Sequence, residues 1–212
     1  MFVVGNWKMN GSLSLCDDFI KNLKFRENCV ICSPYIYLYR FMGAGITVGS
    51  QDCSQFKNGS YTGDISCEML SKFGIKYAII GHSERVKLYQ ETKQIILQKT
   101  YSCVENAIKP IVCIDNNFEE LLREFIHIHD KIIIAYEPAT AIGTGVIPTN
   151  EEILDVVKKI KSLGQFTMLY GGSVNSKNID TLKSIQQIDG FLVGGASLKV
   201  DEFNKIIESV KE

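Results

Sequence analysis

Four charged or titratable side chains follow runs of apolar residues, at points where chemistry could be done: Lys8, His82, Glu84 and Glu137. A glutamate can remove a proton from a substrate, and a histidine can polarise or protonate one. The fixed ammonium of Lys8 can stabilise a bound anion or a negative charge that develops during a reaction. Taken singly, such residues are often a solvated loop glutamate, a structural histidine and a surface lysine. Their function therefore depends on whether the fold brings them together.

Two glycine segments indicate a second kind of chemistry, the binding of an anion. Gly171-Gly172-Ser173 and Gly194-Gly195 each follow an apolar run. Glycines let backbone N–H groups approach an anion closely, and a helix that begins just after them adds its dipole. The alternative is that these glycines serve only as turns.

Eight short apolar runs recur along the chain, separated by segments with helical spacing. Runs that are apolar almost throughout are typical of parallel strands buried on both faces. Between Glu151 and Leu163 the apolar residues mark one stripe at the helical period. The predicted strands are Phe2–Asn6, Cys29–Ser33, Ile46–Ser50, Tyr77–Gly81, Pro110–Ile114, Lys131–Tyr136, Phe166–Tyr170 and Gly190–Gly194. The predicted helices are Leu13–Lys24, Cys67–Phe73, Thr92–Asn106, Glu119–Phe125, Glu151–Leu163, Ser176–Ser184 and Asp201–Val210.

This alternation predicts an α/β fold of one domain over residues 1–212, either a doubly wound sheet or a closed (β/α)₈ barrel. Polar, charged and glycine residues collect just past nearly every strand. In a barrel these carboxyl ends converge on one rim, whereas in an open sheet only a few of them meet. We therefore expect the barrel. The two glycine segments then follow its seventh and eighth strands, a common place for a phosphate site.

The composition of the chain disfavours some classes of binding partner. The net charge is −1 and charged residues make up 22% of the chain, without a long run of one sign, which disfavours nucleic acid and anionic membranes. No apolar stretch is long enough to span a bilayer and no signal peptide is evident, so we expect a cytoplasmic protein.

The seven cysteines are interpreted as buried reduced thiols. Cys29 and Cys32 have redox-motif spacing, but residues three apart on a strand point to opposite faces. His127 and His129 could be half of a metal site, yet no third ligand is close in sequence, so a surface turn is the preferred reading.

Five segments in order resemble triosephosphate isomerase. Together they span residues 2–198, and each falls at a predicted strand end. They are Asn6-Trp7-Lys8-Met9-Asn10-Gly11, Gly81-His82-Ser83-Glu84-Arg85, Ala135-Tyr136-Glu137-Pro138 with Ala141-Ile142-Gly143-Thr144-Gly145, Tyr170-Gly171-Gly172-Ser173-Val174, and Gly190-Phe191-Leu192-Val193-Gly194-Gly195-Ala196-Ser197-Leu198.

The resemblance implies a TIM barrel that interconverts dihydroxyacetone phosphate and D-glyceraldehyde 3-phosphate through an enediolate, without a cofactor or metal. It implies that Glu137 is the catalytic base. It also implies that His82 corresponds to the neutral histidine that polarises the substrate carbonyl, a role already known for this enzyme family. Lys8 and Asn6 would stabilise substrate charge, with Glu84 in support or in proton relay. Ser173, Gly194, Gly195 and the lid residue Gly143 would bind the phosphate.

The segment Gln51–Ser66 is similar to the family's dimer loop, which implies a homodimer in which Thr62 braces the neighbouring site. Residues 138–148 correspond to a lid that closes over the substrate. There Thr140 replaces a tryptophan common in the family, and Pro148 ends the far hinge without an N–H group. We therefore expect weaker closure and more loss of phosphate from the enediolate than in relatives.

The chain is short for a barrel, which typically has about 250 residues, so we expect shortened outer helices. Asp115-Asn116 stands where the family tends to have Gly-Glu, Val86 where a second arginine is expected, and Asp52 where an asparagine is usual. Two alternatives remain: a non-catalytic phosphosugar-binding relative, and another phosphosugar isomerase or epimerase barrel. The first should have lost one of Lys8, His82 or Glu137, and the second usually brings metal ligands.

Overall fold

The computed structural model describes residues 1–138 and 148–211. Its eight strands are all parallel and form a closed barrel in sequence order, with β8 pairing β1. The predicted (β/α)₈ barrel is therefore confirmed. The strands are β1 (Phe2–Asn6), β2 (Cys29–Cys32), β3 (Thr47–Ser50), β4 (Tyr77–Ile80), β5 (Lys109–Ile114), β6 (Ile133–Tyr136), β7 (Thr167–Tyr170) and β8 (Gly190–Val193).

Alternation along the strands produces two separate apolar cores. Val3 faces the layer between strands and helices, whereas its neighbour Val4 points into the barrel. The same alternation places Cys29 in the outer core and Cys32 in the inner one, as predicted for residues three apart. The barrel is therefore filled by side chains, and its interior is a packed core.

Nine helices surround the strands in the described part of the chain: α1 (Leu13–Asn22), α2 (Tyr35–Leu38), α3 (Cys67–Phe73), α4 (Ser83–Tyr89), α5 (Lys93–Glu105), α6 (Glu119–Arg123), α7 (Asn150–Leu163), α8 (Ile179–Leu182) and α9 (Val200–Lys211). Short 3₁₀ turns lie at Arg26–Asn28, Tyr39–Phe41, Ile126–Ile128 and Gly195–Leu198. Several outer helices are single turns, as expected from the prediction of shortened outer helices.

Several predicted boundaries need correction. The sixth strand begins at Ile133 instead of Lys131, and the helix predicted from Ser176 to Ser184 is the short α8. The prediction set no bounds for α2 or α4. Helix α4 has seven residues and buries none of its side chains, so it is too short and too exposed to show a core-facing apolar stripe.

The longer helices have clear sequence causes. Thr149 caps α7 through a capping box with Glu152. One face of α7 is buried through Ile153, Val157 and Ile160, three of the residues in the predicted stripe. None of the helices within 1–138 and 148–211 is long and apolar enough to cross a membrane.

Candidate active site

The backbone ladder of the barrel continues one residue past three of its strands, and this fixes the rim. The N–H groups of Trp7, Glu137 and Gly171 donate to the carbonyls of Cys32, Ile114 and Tyr136, at 3.0, 2.9 and 2.9 Å. The residues that follow these strands therefore converge at the carboxyl end. They form a cavity of about 200 Å³ lined by Asn6, Lys8, Glu137, Gly171, Ser173, Val174, Leu192, Gly194 and Gly195.

Glu137 and His82 face each other across the rim. Glu137 Oε1 lies 3.5 Å from His82 Nε2, and both side chains are almost fully buried. His82 caps α4, and its Nδ1 accepts the backbone N–H of Glu84 at 3.2 Å. Because Nδ1 is an acceptor, the neutral ring carries its proton on Nε2, the atom aimed at Glu137. Nε2 and Glu137 Oε2 are buried and have no hydrogen-bond partner among the described residues.

The position of the Glu137 carboxylate depends on Gly171. A Cβ atom on residue 171 would lie 2.7 Å from Glu137 Cγ and 3.2 Å from its Oε1. Cys113 lies below the same carboxylate. Burial first, and then the charge of Glu137, raise the pKa of the Cys113 thiol well above its usual value. Cys113 is therefore a neutral neighbour of the carboxylate and does not compete for its role.

Lys8 is held at the rim from both ends. Its Nζ donates to Glu84 Oε1 at 2.7 Å, and its backbone N–H donates to Asn6 Oδ1 at 3.0 Å. Its backbone is left-handed, with φ at +52°, a conformation that costs a non-glycine residue about 1–2 kcal/mol. Strain of this kind persists where the surrounding structure holds it, often at functional sites. The ammonium of Lys8 is therefore fixed beside the cavity, with Asn6 adjacent to it.

The two glycine segments line the same cavity. Ser173 is also left-handed, with φ at +47°, and its carbonyl accepts amide hydrogens from Asn178 at 2.9 Å and Asn175 at 3.2 Å. Gly194 lies beside Lys8, where a Cβ would make an ordinary contact of 3.7 Å with Lys8 Cε. The 3₁₀ turn begins at Gly195, as expected for a short helix there, whereas α8 begins six residues after Ser173. Gly143 and Thr140 lie outside the described residues.

The loop that contains Thr62 stands apart from this cavity. No helix or strand lies between Ser50 and Cys67, as expected for a long functional loop. The base of the loop is closed by Ser54, which pairs with Ile65 and Asp64. Thr62 is exposed and does not line the cavity, so this single chain does not bring it to the other predicted site residues.

Asp52 joins a buried ion network beneath this loop. Lys99 Nζ contacts both Asp52 oxygens, at 2.7 and 2.8 Å, and also Glu91 Oε1 at 2.5 Å. Arg85 on α4 contacts the same two carboxylates. Burial raises the pKa of Asp52, and Lys99 opposes that effect. The carboxylate at a position where the family has asparagine is therefore compensated by two cations.

One cluster of side chains with metal-binding chemistry is not predictable from the sequence. The sulphur atoms of Cys53, Cys67 and Cys103 all lie within 4.8 Å of one another. Fourteen and thirty-six residues separate them along the chain (67 − 53 and 103 − 67), so no local motif signals the cluster. His127 and His129 belong to no such group within the described ranges, and they lie at a surface turn as predicted.

Comparison with known proteins shows the family of the chain. The family model described as triosephosphate isomerase matches residues 1–210. The triosephosphate isomerase of Wolbachia sp. subsp. Brugia malayi (strain TRS) is 38% identical, over 99% of this chain and 97% of its own length. That of Aquifex aeolicus (strain VF5) is 36% identical, over 98% of each chain.

Proposed function

The chain belongs to the triosephosphate isomerase family and is an isomerase, and we propose that Glu137 and His82 carry out its reaction through an enediolate. The observation that carries this assignment is the pair of buried side chains facing each other 3.5 Å apart at the barrel rim. A base and an electrophile in that arrangement suit proton transfer next to a carbonyl.

In the proposed cycle, dihydroxyacetone phosphate binds in the cavity with its reacting carbons within reach of both side chains. Glu137 removes a proton from the carbon next to the carbonyl, and the Nε2–H of His82 donates to the carbonyl oxygen. Electrons move from the broken C–H bond into an enediolate. The former carbonyl oxygen gains a proton from the Nε2–H of His82, and Nε2 takes the proton of the neighbouring hydroxyl in return. Glu137 then returns its proton to the former carbonyl carbon, which gives D-glyceraldehyde 3-phosphate. A neutral histidine in this role is already known for triosephosphate isomerase.

We propose that the other side chains around the cavity bind the charged groups of the substrate. The Lys8 ammonium stabilises the enediolate oxygen and the phosphate, Asn6 donates a hydrogen bond beside it, and Glu84 holds the ammonium in place. Ser173, Gly194 and Gly195 line the part of the cavity that suits the phosphate. We extend the phosphate site to Gly143 of the lid, on sequence resemblance alone.

We also propose that the protein works as a homodimer through the Thr62 loop. Large apolar side chains are exposed on this face, which is uncommon unless a partner covers them. Phe56 stacks on Tyr61 with ring centroids 4.2 Å apart, and Tyr61 is 44% exposed. Tyr35, Phe56 and Tyr89 line one groove there. The proposal includes a cytoplasmic site of action, which the seven free cysteines support.

The test is a coupled assay of glyceraldehyde 3-phosphate conversion on Glu137→Asp. The shorter side chain withdraws the carboxylate from the near-attack distance, so we expect kcat to fall about a thousandfold, or about 4 kcal/mol at roughly 1.4 kcal/mol per tenfold. Glu119→Asp makes the same change at an exposed helix start and should leave the rate unaltered. Equal rates for the parent and Glu137→Asp would remove Glu137 as the base.

A further inference from the structure

Three cysteines that the proposed reaction does not use converge beneath the Thr62 loop. Cys53 lies just after β3, Cys67 is the first residue of α3, and Cys103 lies on α5. All three are at least 99% buried. Cys103 Sγ lies 3.6 Å from Cys53 Sγ and 3.6 Å from Cys67 Sγ. Three separate segments of the chain thus present one sulphur atom each to a common point.

These distances match the spacing of thiolates around a single metal ion. With a zinc–sulphur bond of about 2.3 Å, tetrahedral geometry places neighbouring sulphurs about 3.8 Å apart. A disulfide would use only two of the three atoms and draw them to about 2.05 Å. The set contains no hard oxygen ligand, so it suits soft thiophilic ions and disfavours magnesium or calcium.

We propose that Cys53, Cys67 and Cys103 form a binding site for a thiophilic d¹⁰ metal ion, Zn²⁺ or Cu⁺. Each thiol that ligates the ion releases its proton, and no electron is transferred. Three thiolates satisfy Cu⁺ directly, whereas Zn²⁺ takes a water molecule as its fourth ligand. The site is separate from the cavity that contains Glu137, since none of the three cysteines lines that cavity.

The surroundings of the cluster provide access. Cys53 lines a solvent-connected groove together with Lys99, Asp52 and Tyr35. An ion in this groove therefore meets Cys53 first, whereas Cys67 and Cys103 lie behind it and do not line the groove. Once bound, it links the base of the Thr62 loop to α3 and α5. The expected result is a more stable loop base and a higher melting temperature.

The experiment uses the reduced full-length protein, stripped of metal and kept free of oxygen. Zn²⁺ and Cu⁺ are titrated in separate arms against chromogenic chelators, with proton release measured in weak buffer. We expect one ion per chain in at least one arm, with affinity reduced a hundredfold or more in Cys67→Ser. Serine suits the start of a helix, so this variant should fold; circular dichroism checks that it does.

Cys16→Ser is the matched control, because Cys16 is a fully buried free cysteine on α1, outside the cluster. It should bind the metal as the parent does. Binding of neither ion, or equal affinity in the parent and Cys67→Ser, would overturn the proposal. So would loss of binding in Cys16→Ser alone. None of these measurements reads isomerase activity, so the outcome is independent of the roles proposed for Glu137 and His82.

Discussion

The contact between Gly171 and Glu137 gives the sharpest quantitative prediction. In Gly171→Ala the new Cβ would lie 2.7 Å from Glu137 Cγ, whereas ordinary contacts begin at 3.4 Å. The side chain of Glu137 must therefore retreat by about 0.7 Å (3.4 − 2.7). A misplacement of about 1 Å can cost about a hundredfold in rate. We expect kcat to fall between tenfold and a hundredfold, or about 1.4–2.8 kcal/mol, with little change in KM.

Steady-state kinetics in both directions measures this effect, and a double-mutant cycle isolates its cause. In Glu137→Gln the base is already absent, so adding Gly171→Ala should cost little further activity. The backbone of Gly171 is not left-handed, so alanine adds no backbone strain, and any fall in melting temperature should reflect the contact with Glu137 alone. A kcat equal to that of the parent would refute the steric argument. An equal loss in both backgrounds would show that Gly171 acts through something other than Glu137.

Four further predictions follow from the site and its surroundings. Glu84→Gln keeps a hydrogen-bond acceptor for Lys8, and the ion pair it replaces is screened because Glu84 is half-exposed. We therefore expect kcat/KM to fall about fivefold or less in Glu84→Gln and further in Glu84→Ala. The hydrogen bond from the Ser176 N–H lowers the pKa of Glu202. Urea unfolding should show Glu202→Gln less stable than the parent above pH 4.5, by under about 1 kcal/mol, with the difference vanishing as pH falls through the folded pKa. Thr140→Trp should lower the methylglyoxal formed per turnover; equal amounts would contradict a weakened lid. Sedimentation should show a dimer for the parent and a monomer for Thr62→Arg, and the activity assay should show a lower kcat for the variant.

The barrel was predictable because its signal is repeated eight times and each repeat is local. Apolar strands buried on both faces show in the sequence whatever packs against them, and β1 and α3 have the predicted bounds. Helix α4 escaped prediction because it is held by its cap at His82 and by ion pairs of Arg85, with no buried apolar face. Helix α2 is a single turn, too short to show any period.

The candidate site also has features that the sequence predicts and features that it does not. Glu137, His82 and Lys8 stand at strand ends, so their convergence follows from closing the barrel. The steric dependence of Glu137 on Gly171 does not, because it arises between neighbouring strands at atomic distance. The cysteine cluster is also a tertiary feature: one member lies on a loop and two on different helices, so no spacing rule relates them.

Short outer helices need not disturb the backbones of Glu137 and Gly171, because other bonds hold those backbones in place. Glu137 and Gly171 are fixed by backbone hydrogen bonds to the adjacent strands at 2.9 Å, and these bonds do not involve the outer helices. The barrel itself depends on a close approach at its seam, where a Cβ on Gly190 would lie 2.0 Å from the Phe2 carbonyl oxygen. A substitution at Gly190 should therefore disrupt the whole barrel, whereas trimming α6 or α8 affects only its cover. Strand pairing thus fixes the backbones of Glu137 and Gly171, whereas His82 and the Lys8 ammonium also depend on α4.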